Sequence, residues 1–414
     1  MIALCDPKFC TGCSACAQSC GHAAIKMVAD DEGFLQPSID VNKCVECGIC
    51  IKNCPELNPI KRLNYGHQDY YAFINEEDRK KSSSGGAFSV FAKWILKQGG
   101  IVYGAAYGHH FKVLHIGVEN VDELYKLRGS KYVQSEMGNV YKQVREQIKQ
   151  NRMVLFVGTG CQVAGLYAFL NDKRYEGLLY TLDLVCHGTP SYKTFKAYLD
   201  KLQEKRALDC SIEAFSFRKI DSWSIIPSVK FAQSKWEMLD LSENAYMDAF
   251  FKGLTFRESC YNCQYCNTMR IGTFTIADFW GVGRHGLKFR PNIASGVSLV
   301  IDNMGIIPSI LREIQNYAYI EKRSKEEALI EQVNLKTPMR RLLDRSTAVK
   351  DMINSDISLL DYSKKYGLPF QATIKWRIQK WIKNTICTLG LYNAYKTIIY
   401  KFENENRNRY ICKM

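Results

Sequence analysis

Short apolar runs alternate with helix-like hydrophobic patterns from residue 70 to about residue 322. Short continuous apolar runs are typical of buried strands, whereas apolar positions spaced three or four residues apart are typical of amphipathic helices. The pattern predicts strands at 70–74, 101–106, 113–118, 153–157, 178–185, 274–277 and 297–302. It predicts helices at 87–97, 137–150, 161–170, 191–205 and 246–251. This alternation indicates an α/β domain with a mainly parallel central sheet.

The two ends of the chain follow other patterns. Residues 1–60 contain an internal repeat, which predicts two short strand–helix halves related by pseudo-symmetry. A polar linker is predicted at 61–69, antiparallel strands at 212–241, and polar helices beyond about residue 322. The expected fold class is therefore mixed, α+β and α/β. The expected domains are a small N-terminal domain, a main domain and a basic helical C-terminal extension, at 1–60, 70–335 and 336–414.

The composition is that of a globular protein, with 46% hydrophobic and 24% charged residues among 414. It excludes a disordered chain, and the length is sufficient for two or three domains. The net charge of +14 is unevenly placed, because residues 361–414 hold eleven Lys or Arg against three acidic residues. A solvated basic surface explains this tail as well as contact with a membrane surface or an acidic protein does. Nucleic acid is not an expected partner.

Seventeen cysteines would indicate disulfides in a short secreted chain, but this sequence favours reduced thiols in the cytoplasm. Residues 1–8 lack the apolar segment of a signal peptide, and the odd cysteine count is combined with metal-type spacing. The longest uncharged stretch, 153–170, is nearly long enough to cross a bilayer, yet Gly158-Thr159-Gly160 interrupts it. We therefore expect a cytoplasmic protein without a transmembrane helix in that stretch.

Two cysteine runs near the N terminus have the spacing of bacterial two-cluster ferredoxins, C-x2-C-x2-C-x3-C. In that pattern three thiolates of one run bind a 4Fe-4S cluster, and the fourth cysteine of each run binds the other cluster. The first expected ligand set is Cys10, Cys13, Cys16 and Cys54, and the second is Cys44, Cys47, Cys50 and Cys20. We expect electrons to enter or leave the chain at these two clusters.

A third cysteine group, Cys260, Cys263 and Cys266, has the same spacing but no fourth cysteine close in sequence. Three such thiolates fit a third 4Fe-4S cluster, or three of the four ligands of a structural zinc ion. The fourth ligand is expected to be Cys186 or Cys161, because each follows a predicted buried strand, where open α/β sheets place their sites. Cys186 is the preferred candidate, and the two ferredoxin runs favour a cluster over zinc.

Two glycine-rich turns before predicted helices are candidates for binding an anion. They are Ser82-Ser83-Ser84-Gly85-Gly86 and Gly158-Thr159-Gly160-Cys161-Gln162. Neither has the fingerprint of a dinucleotide or P-loop site, and an ordinary N-capped turn explains either one without a ligand. His187 is a further candidate because it directly follows Cys186.

Several longer motifs, taken in order, resemble one family. They are SGGA at 84–87, GSKYVQS at 129–135, FVGTGCQ at 156–162, DLVCHGTPS at 183–191, RESC at 257–260 with two further cysteines, and IADFWG at 276–281. Together they closely resemble the beta-subunit family of coenzyme F-420 (deazaflavin) hydrogenases and dehydrogenases, which often carries a fused ferredoxin. The resemblance covers about residues 1–310. Gly160 departs from it, since the family usually has Pro there, and the tail after about 340 lies outside it.

This resemblance implies a non-covalent FAD beside a 4Fe-4S cluster, which makes the main domain a flavin domain. It implies that the FAD pyrophosphate binds the two glycine-rich turns, and that Lys131 offsets negative charge on the phosphates or on the reduced flavin. The expected cofactors are thus two ferredoxin-type 4Fe-4S clusters, a third 4Fe-4S cluster and FAD. His187 is kept among the cofactor-binding candidates.

The expected function is that of an iron–sulfur flavoprotein oxidoreductase. Electrons would pass between the ferredoxin clusters, the third cluster and FAD, and then to a coenzyme or small-molecule substrate. The alternative is an electron-transfer subunit, whose substrate chemistry lies on a redox partner protein docked on the basic tail. A third reading is a structural protein whose cysteines hold zinc. No residue identifies the substrate or a catalytic group.

Overall fold

The structural statements below concern the residues that the computed structural model describes, which are 4–61, 68–206, 211–218, 223, 225–286 and 288–368. The N-terminal region contains two short helices and a hairpin, α1 (Ala15–Ser19), β1 (Ile25–Ala29), β2 (Leu35–Ile39) and α2 (Ile49–Lys52). β1 and β2 pair antiparallel, with Ile25 opposite Ile39. Both helices begin after a residue with positive φ, Ser14 at 66° and Gly48 at 73°, each directly following a cysteine.

The remaining described strands form a large central sheet and a small second sheet. In chain order they are β3 (Asp69–Ile74), β4 (Ile101–Tyr107), β5 (Val113–Val118), β6 (Val154–Thr159), β7 (Leu179–Leu184), β8 (Ile212–Ser216), β9 (Ser228–Phe231), β10 (Glu237–Met238), β11 (Phe274–Asp278), β12 (Ser298–Asp302) and β13 (Tyr319–Arg323). The eight-stranded central sheet has the order β13-β3-β12-β11-β7-β6-β4-β5. The antiparallel second sheet has the order β10-β9-β8.

Five strands of the central sheet run in one direction, and β5, β12 and β13 run against them. The parallel centre consists of β4, β6, β7 and β11, and β6 is almost continuously apolar, as expected of a strand covered on both faces. The predicted mixed α/β class is therefore confirmed. β3 begins at Asp69, so the last residue of the predicted linker belongs to the sheet, while 62–67 lie outside the described residues.

The helices of the main domain follow the predicted positions closely up to α7. They are α3 (Ala87–Lys97), α4 (Val140–Lys149), α5 (Gly160–Phe169), α6 (Tyr192–Arg206), α7 (Ala245–Lys252), α8 (Ile307–Ile314), α9 (Lys325–Ala328), α10 (Arg345–Asn354) and α11 (Leu359–Lys365). Nine of the ten residues of α5 are buried. This helix packs on β6 and β7 on one side and on α1 on the other, so it separates the ferredoxin region from the central sheet.

The first part of the predicted C-terminal extension packs into the main hydrophobic core. Ala348 and Met352 of α10 and Leu359 and Tyr362 of α11 join one buried cluster with residues of α6 and α7. Most of the basic residues of the tail lie at 369–414, outside the described residues. Within the part of the chain that is described, no helix has both the length and the apolar character needed to cross a membrane.

Candidate functional site

The first expected ligand set, Cys10, Cys13, Cys16 and Cys54, lines one cavity, which we call site I, and Cys50 of the second set lines it too. Cys54 ends the second run yet lines the same cavity as the first run, so this arrangement is compatible with the predicted crossover. The loop of the first run turns at Gly12, whose φ is 66°, and the Gly12 N–H lies 3.4 Å from Cys10 Sγ. Cys5 also lines site I, and burial together with Cys54 raises the pKa of its thiol to about 12.

The second predicted set, Cys20, Cys44, Cys47 and Cys50, is called site II. Cys20 follows α1, and α1 packs on α2, which contains Cys50. Asn53 Nδ2 donates a hydrogen bond to Ser19 Oγ at 3.0 Å, so the residues preceding Cys54 and Cys20 are tied together. Cys47 is exposed at the surface. Site II therefore reaches the surface at Cys47, while Cys50 is buried.

Five cysteines line a third cavity, called site III, namely Cys161, Cys186, Cys260, Cys263 and Cys266. β6 and β7 are adjacent parallel strands, so their carboxyl ends bring the first turn of α5 and the loop after β7 together. Both candidates for the fourth ligand are thus present. The Sγ of Cys266 lies 3.9 Å from the backbone oxygen of Cys186. The hydroxyl of Thr159 lies 3.1 Å from the Sγ of Cys161.

Burial dominates the acid–base chemistry of site III. It raises the pKa of the Cys161, Cys186 and Cys260 thiols above their ordinary value. The contact with Cys266 lowers the pKa of Cys263 to about 7. A metal ligand must be a thiolate, and a buried thiolate is stable only where positive charge compensates it. Soft thiol donors in such a place suit an iron–sulfur cluster, whereas the described residues contain no group of three or more ligating side chains placed to hold a single metal ion.

A buried ion pair holds the cysteine loop of site III against the sheet. Arg270, four residues after Cys266, lies 3.0 Å from the carboxylate of Asp183 on β7, and both side chains are buried. The other carboxylate oxygen of Asp183 accepts hydrogen bonds from the N–H groups of Ile271 and Gly272. Because both charges have several partners, this pair fixes the loop to the carboxyl end of β7.

Sites I and III are neighbours. Arg257, which is 2% exposed, donates hydrogen bonds to the backbone oxygens of Cys10 and Leu35, at 2.6 and 2.9 Å. Thr11 lines both cavities, and its buried hydroxyl has no hydrogen-bond partner among the described residues. A Cβ placed on Gly165 of α5 would lie 2.9 Å from the Cβ of Cys13. The cysteine loop of site I thus rests directly on α5 and on the loop that carries site III.

The Ser84-Gly85-Gly86 turn lies where β3 ends and β12 begins. Gly85 has no room for a side chain, since a Cβ would lie 2.2 Å from the oxygen of Phe73. The neighbouring Ser83 accepts hydrogen bonds from the N–H and the hydroxyl of Ser130, at 2.8 and 3.0 Å. This contact brings the segment that contains Lys131 to the same turn.

Lys131 is fully hydrogen-bonded to backbone oxygens, but it lies beside two buried polar atoms that lack a partner among the described residues. Its ammonium donates to the backbone oxygens of Arg128 and Gly129, at 2.9 and 3.1 Å, and burial lowers its pKa to about 7. Its Nζ lies 5.5 Å from the centre of the Tyr107 ring. The Tyr107 hydroxyl and the Nδ1 of His115 are buried without a hydrogen-bond partner among the described residues. Burial lowers the pKa of His115 to about 4, so its ring is neutral.

The strand order corrects the expectation that one pyrophosphate binds both glycine-rich turns. The turn at 158–162 follows β6, whereas the turn at 84–86 follows β3, and β12, β11 and β7 lie between them. Four strand spacings amount to about 19 Å, which is too far for a single pyrophosphate to contact both. In addition, Thr159 and Gln162 form a capping box, and the Tyr265 side chain covers Gly160. The second turn therefore faces site III.

His187 lines site III, but its ring is held by the protein. Its Nδ1 lies 2.9 Å from Asn334 Oδ1, and its Nε2 lies 3.4 Å from the backbone oxygen of Phe251. Sequence reasoning alone does not single out Thr11, Tyr107 or His115. A histidine on the inward face of a predicted strand was the available signal for His115, and nothing in the sequence places Thr11 between two cavities.

Comparison with known proteins agrees with the motifs. Residues 151–328 match the family of the coenzyme F-420 hydrogenase/dehydrogenase beta subunit, at its C terminus. Residues 9–57 match the family described as "4Fe-4S dicluster domain". A solved structure of the F-420-reducing NiFe hydrogenase complex from Methanosarcina barkeri is 16% identical over 73% of this chain and 92% of that chain, with a TM-score of 0.42. No curated protein matches the sequence. The resemblance inferred from the motifs is confirmed over residues 151–328, and residues 9–57 match a two-cluster iron–sulfur domain.

Proposed function

We propose that this chain, with its dicluster domain and the segment that matches the beta-subunit family, is an oxidoreductase that binds three 4Fe-4S clusters and one FAD. The observation that carries the proposal is site III, where five cysteines from three separate chain segments line one cavity beside site I. A carrier with only a ferredoxin domain has no use for a third thiol-lined cavity at the carboxyl edge of a sheet, where α/β enzymes place their sites. The reduced thiols that such clusters require favour the cytoplasm.

The cysteines are assigned to three ligand sets. Site I is held by Cys10, Cys13, Cys16 and Cys54, site II by Cys20, Cys44, Cys47 and Cys50, and site III by Cys186, Cys260, Cys263 and Cys266. When bound, each cluster supplies one-electron transfer at a potential set by burial and by hydrogen bonds to sulfur. The chain contributes the compensating charge of Arg257 and Arg270, which lie beside these loops.

For FAD, the fitting groups are a glycine-rich turn, two side chains with unused polar atoms and a buried lysine. The backbone of Ser84, Gly85 and Gly86 would receive the pyrophosphate at the N-terminus of α3. Tyr107 and His115 supply the unpaired hydroxyl and Nδ1, and Lys131, with a pKa near 7, can hold or release a proton at neutral pH. When bound, FAD would join the one-electron clusters to two-electron chemistry on a coenzyme or small-molecule substrate.

A second candidate function is that of an electron-transfer subunit whose substrate site lies on a partner protein. The exposure of Cys47 supports it, because a surface cluster can exchange electrons with a docked protein. The basic tail would add an electrostatic contribution to docking on an acidic partner or a membrane surface. Bound flavin with turnover of a soluble acceptor contradicts this candidate. Bound flavin that turns over only when a partner protein is added favours it.

Metal and flavin analysis of protein purified without oxygen tests the proposal. We expect about 12 iron atoms per chain and one FAD released on denaturation. About eight irons with one zinc would show that site III is a zinc site and would refute the third cluster. A full iron content without flavin would refute the FAD assignment and leave the clusters in place.

A further inference from the structure

The residues around α5 lie where two of the proposed cluster sites meet. An inference about electron transfer between these sites rests on the proposed function. Sites I and III are separate cavities, and Thr11 is the residue of the site I loop that lines both. Its neighbours Cys10 and Gly12 belong to site I, while its unpaired hydroxyl is buried between the two cavities. A hydroxyl in this position can donate a hydrogen bond to a cluster sulfur, one of the factors that set cluster potentials.

Cys161 is the residue of site III that is nearest in role to Thr11, because it too has neighbours in both sites. It lies in the first turn of α5, and Gly165 follows it by four residues on the same face of the helix. Gly165 faces Cys13 of site I, since a Cβ placed on Gly165 would lie 3.1 Å from the Cys13 Sγ. Cys13, Cys161 and Cys263 pack on the same hydrophobic cluster, which includes Tyr141 and Tyr265. Cys161 therefore has a thiol of site I and a thiol of site III among its near neighbours.

Site III has one thiol more than a 4Fe-4S cluster needs. Three ligands come from the cysteine loop, so either Cys161 or Cys186 is left over. Cys186 is placed by the loop after β7, and its backbone lies against Cys266. Cys161 lines site III, has Cys13 of site I among its near neighbours, and has the hydroxyl of Thr159 at 3.1 Å as a hydrogen-bond partner. We therefore take Cys161 as the leftover thiol, because its surroundings include cysteines of both sites.

We propose that Thr11 and Cys161 are not iron ligands but form the junction across which the clusters of sites I and III exchange electrons. With clusters bound at both sites, one electron would pass from site I, which would be oxidised, to site III, which would be reduced. No bond is formed or broken, and no proton moves. Site II, with its exposed Cys47, is the outer end of this route, and site I is its middle.

Iron analysis and rapid mixing test the junction. Cys161→Ala and Thr11→Val should each retain about 12 irons, whereas Cys186→Ala should lose about four. A reduced bacterial ferredoxin, which is too large to enter site III, then serves as the electron donor. Freeze-quenched EPR spectra should show site III reduced several-fold more slowly in both variants, and Thr11→Val should also shift a cluster potential.

Thr337→Val is the matched control for Thr11→Val, because Thr337 is an exposed threonine that lines neither site I nor site III. It should leave the reduction of site III unchanged. Loss of about four irons in Cys161→Ala, with full retention in Cys186→Ala, would make Cys161 a ligand and overturn the junction. Full iron content with unchanged reduction rates in both junction variants would overturn the route alone. About eight irons in the unaltered protein would refute the proposed function together with the junction.

Discussion

The Nε of Arg257 donates a hydrogen bond to the backbone oxygen of Cys10 at 2.6 Å, although 247 residues separate them in the chain. Arg257 precedes the cysteine loop of site III, and Cys10 begins that of site I. One buried guanidinium therefore fixes the relative position of two cysteine loops. Its charge also lies close to both, where it favours the reduced, more negative state of a bound cluster.

Replacing Arg257 separates its geometric role from its charge. Arg257→Met leaves the oxygens of Cys10 and Leu35 unpaired, which should lower the free energy of unfolding by at least about 2 kcal/mol. It should also lower the reduction potential of the nearest cluster. Arg257→Lys should destabilise the fold similarly but preserve most of the potential, because it keeps the charge and loses the fork of donors.

Anaerobic thermal unfolding and EPR-monitored redox titration measure these two effects. Arg341→Met is the control, since Arg341 pairs with Glu258 of the same loop but is largely exposed. It should change stability by less than about 1 kcal/mol. Equal effects of the two methionine variants on the potential would show that Arg257 has no specific influence on a cluster.

The Asp183–Arg270 pair provides a second prediction. Asp183→Asn keeps the shape of the side chain but leaves the buried guanidinium of Arg270 without its counter-ion. Breaking a buried pair in this way should cost about 3–5 kcal/mol. Urea unfolding of anaerobic protein measures the loss. Asp200→Asn, which breaks the exposed pair with Lys196, should cost about 0.5 kcal/mol or less. A similar cost in both variants would contradict the anchoring role of Asp183.

Lys131 should make stability depend on pH. Burial lowers its pKa to about 7 in the folded chain, against about 10.4 when unfolded. Between these values the unfolded chain binds more protons at this residue, so the free energy of unfolding rises with pH. Lys131→Met removes the effect and should stabilise the protein more at pH 6 than at pH 9.

Thermal unfolding at both pH values checks this expectation. Lys149→Met is the control, because its side chain is 61% exposed and pairs with Glu146 at the surface. Its effect should not differ between pH 6 and pH 9. A Lys131→Met effect that is equal at the two values would show that Lys131 keeps an ordinary pKa.

Gly165 provides a test of the contact between α5 and the ferredoxin region. A glycine in a helix normally costs about 1 kcal/mol relative to alanine. Here the alanine Cβ would lie 2.9 Å from the Cβ of Cys13 and 2.7 Å from the Tyr141 hydroxyl. Gly165→Ala should therefore destabilise by about 1–3 kcal/mol and reduce the iron content of site I. Gly21→Ala, which meets no neighbouring atom, should change neither quantity.

The elements near one another in sequence could be predicted well. The strands and helices between β3 and α7 are predictable from the periodicity of apolar residues, because each element buries one face or both. The meeting of Cys161 with Cys186 also follows from sequence, since both come after adjacent parallel strands. The spacing of the two cysteine runs predicted the crossover of Cys54, which is a property of the motif itself.

Long-range pairing could not be predicted in the same way. β3 lies between β12 and β13, more than 200 residues later in the chain, and no local periodicity encodes such a partner. That position is what separates the two glycine-rich turns. Likewise, the roles of Arg257 and Thr11 depend on contacts that form only when the ferredoxin region docks on α5. Their surroundings are set by tertiary contacts between distant segments, which a residue's own spacing does not reveal.

The exposure of site II has a consequence for handling the protein in air. Cys47 is exposed, and its neighbours Val45 and Ile49 are 58% and 42% exposed, so dioxygen can reach this loop directly. Cys13 and Cys161, in contrast, are covered by α5 and the aromatic side chains around it. Oxidative damage should therefore proceed from the surface inward, with the outermost cluster lost first. Partly degraded protein would then retain its inner redox centres but lose the surface cluster through which they are reduced.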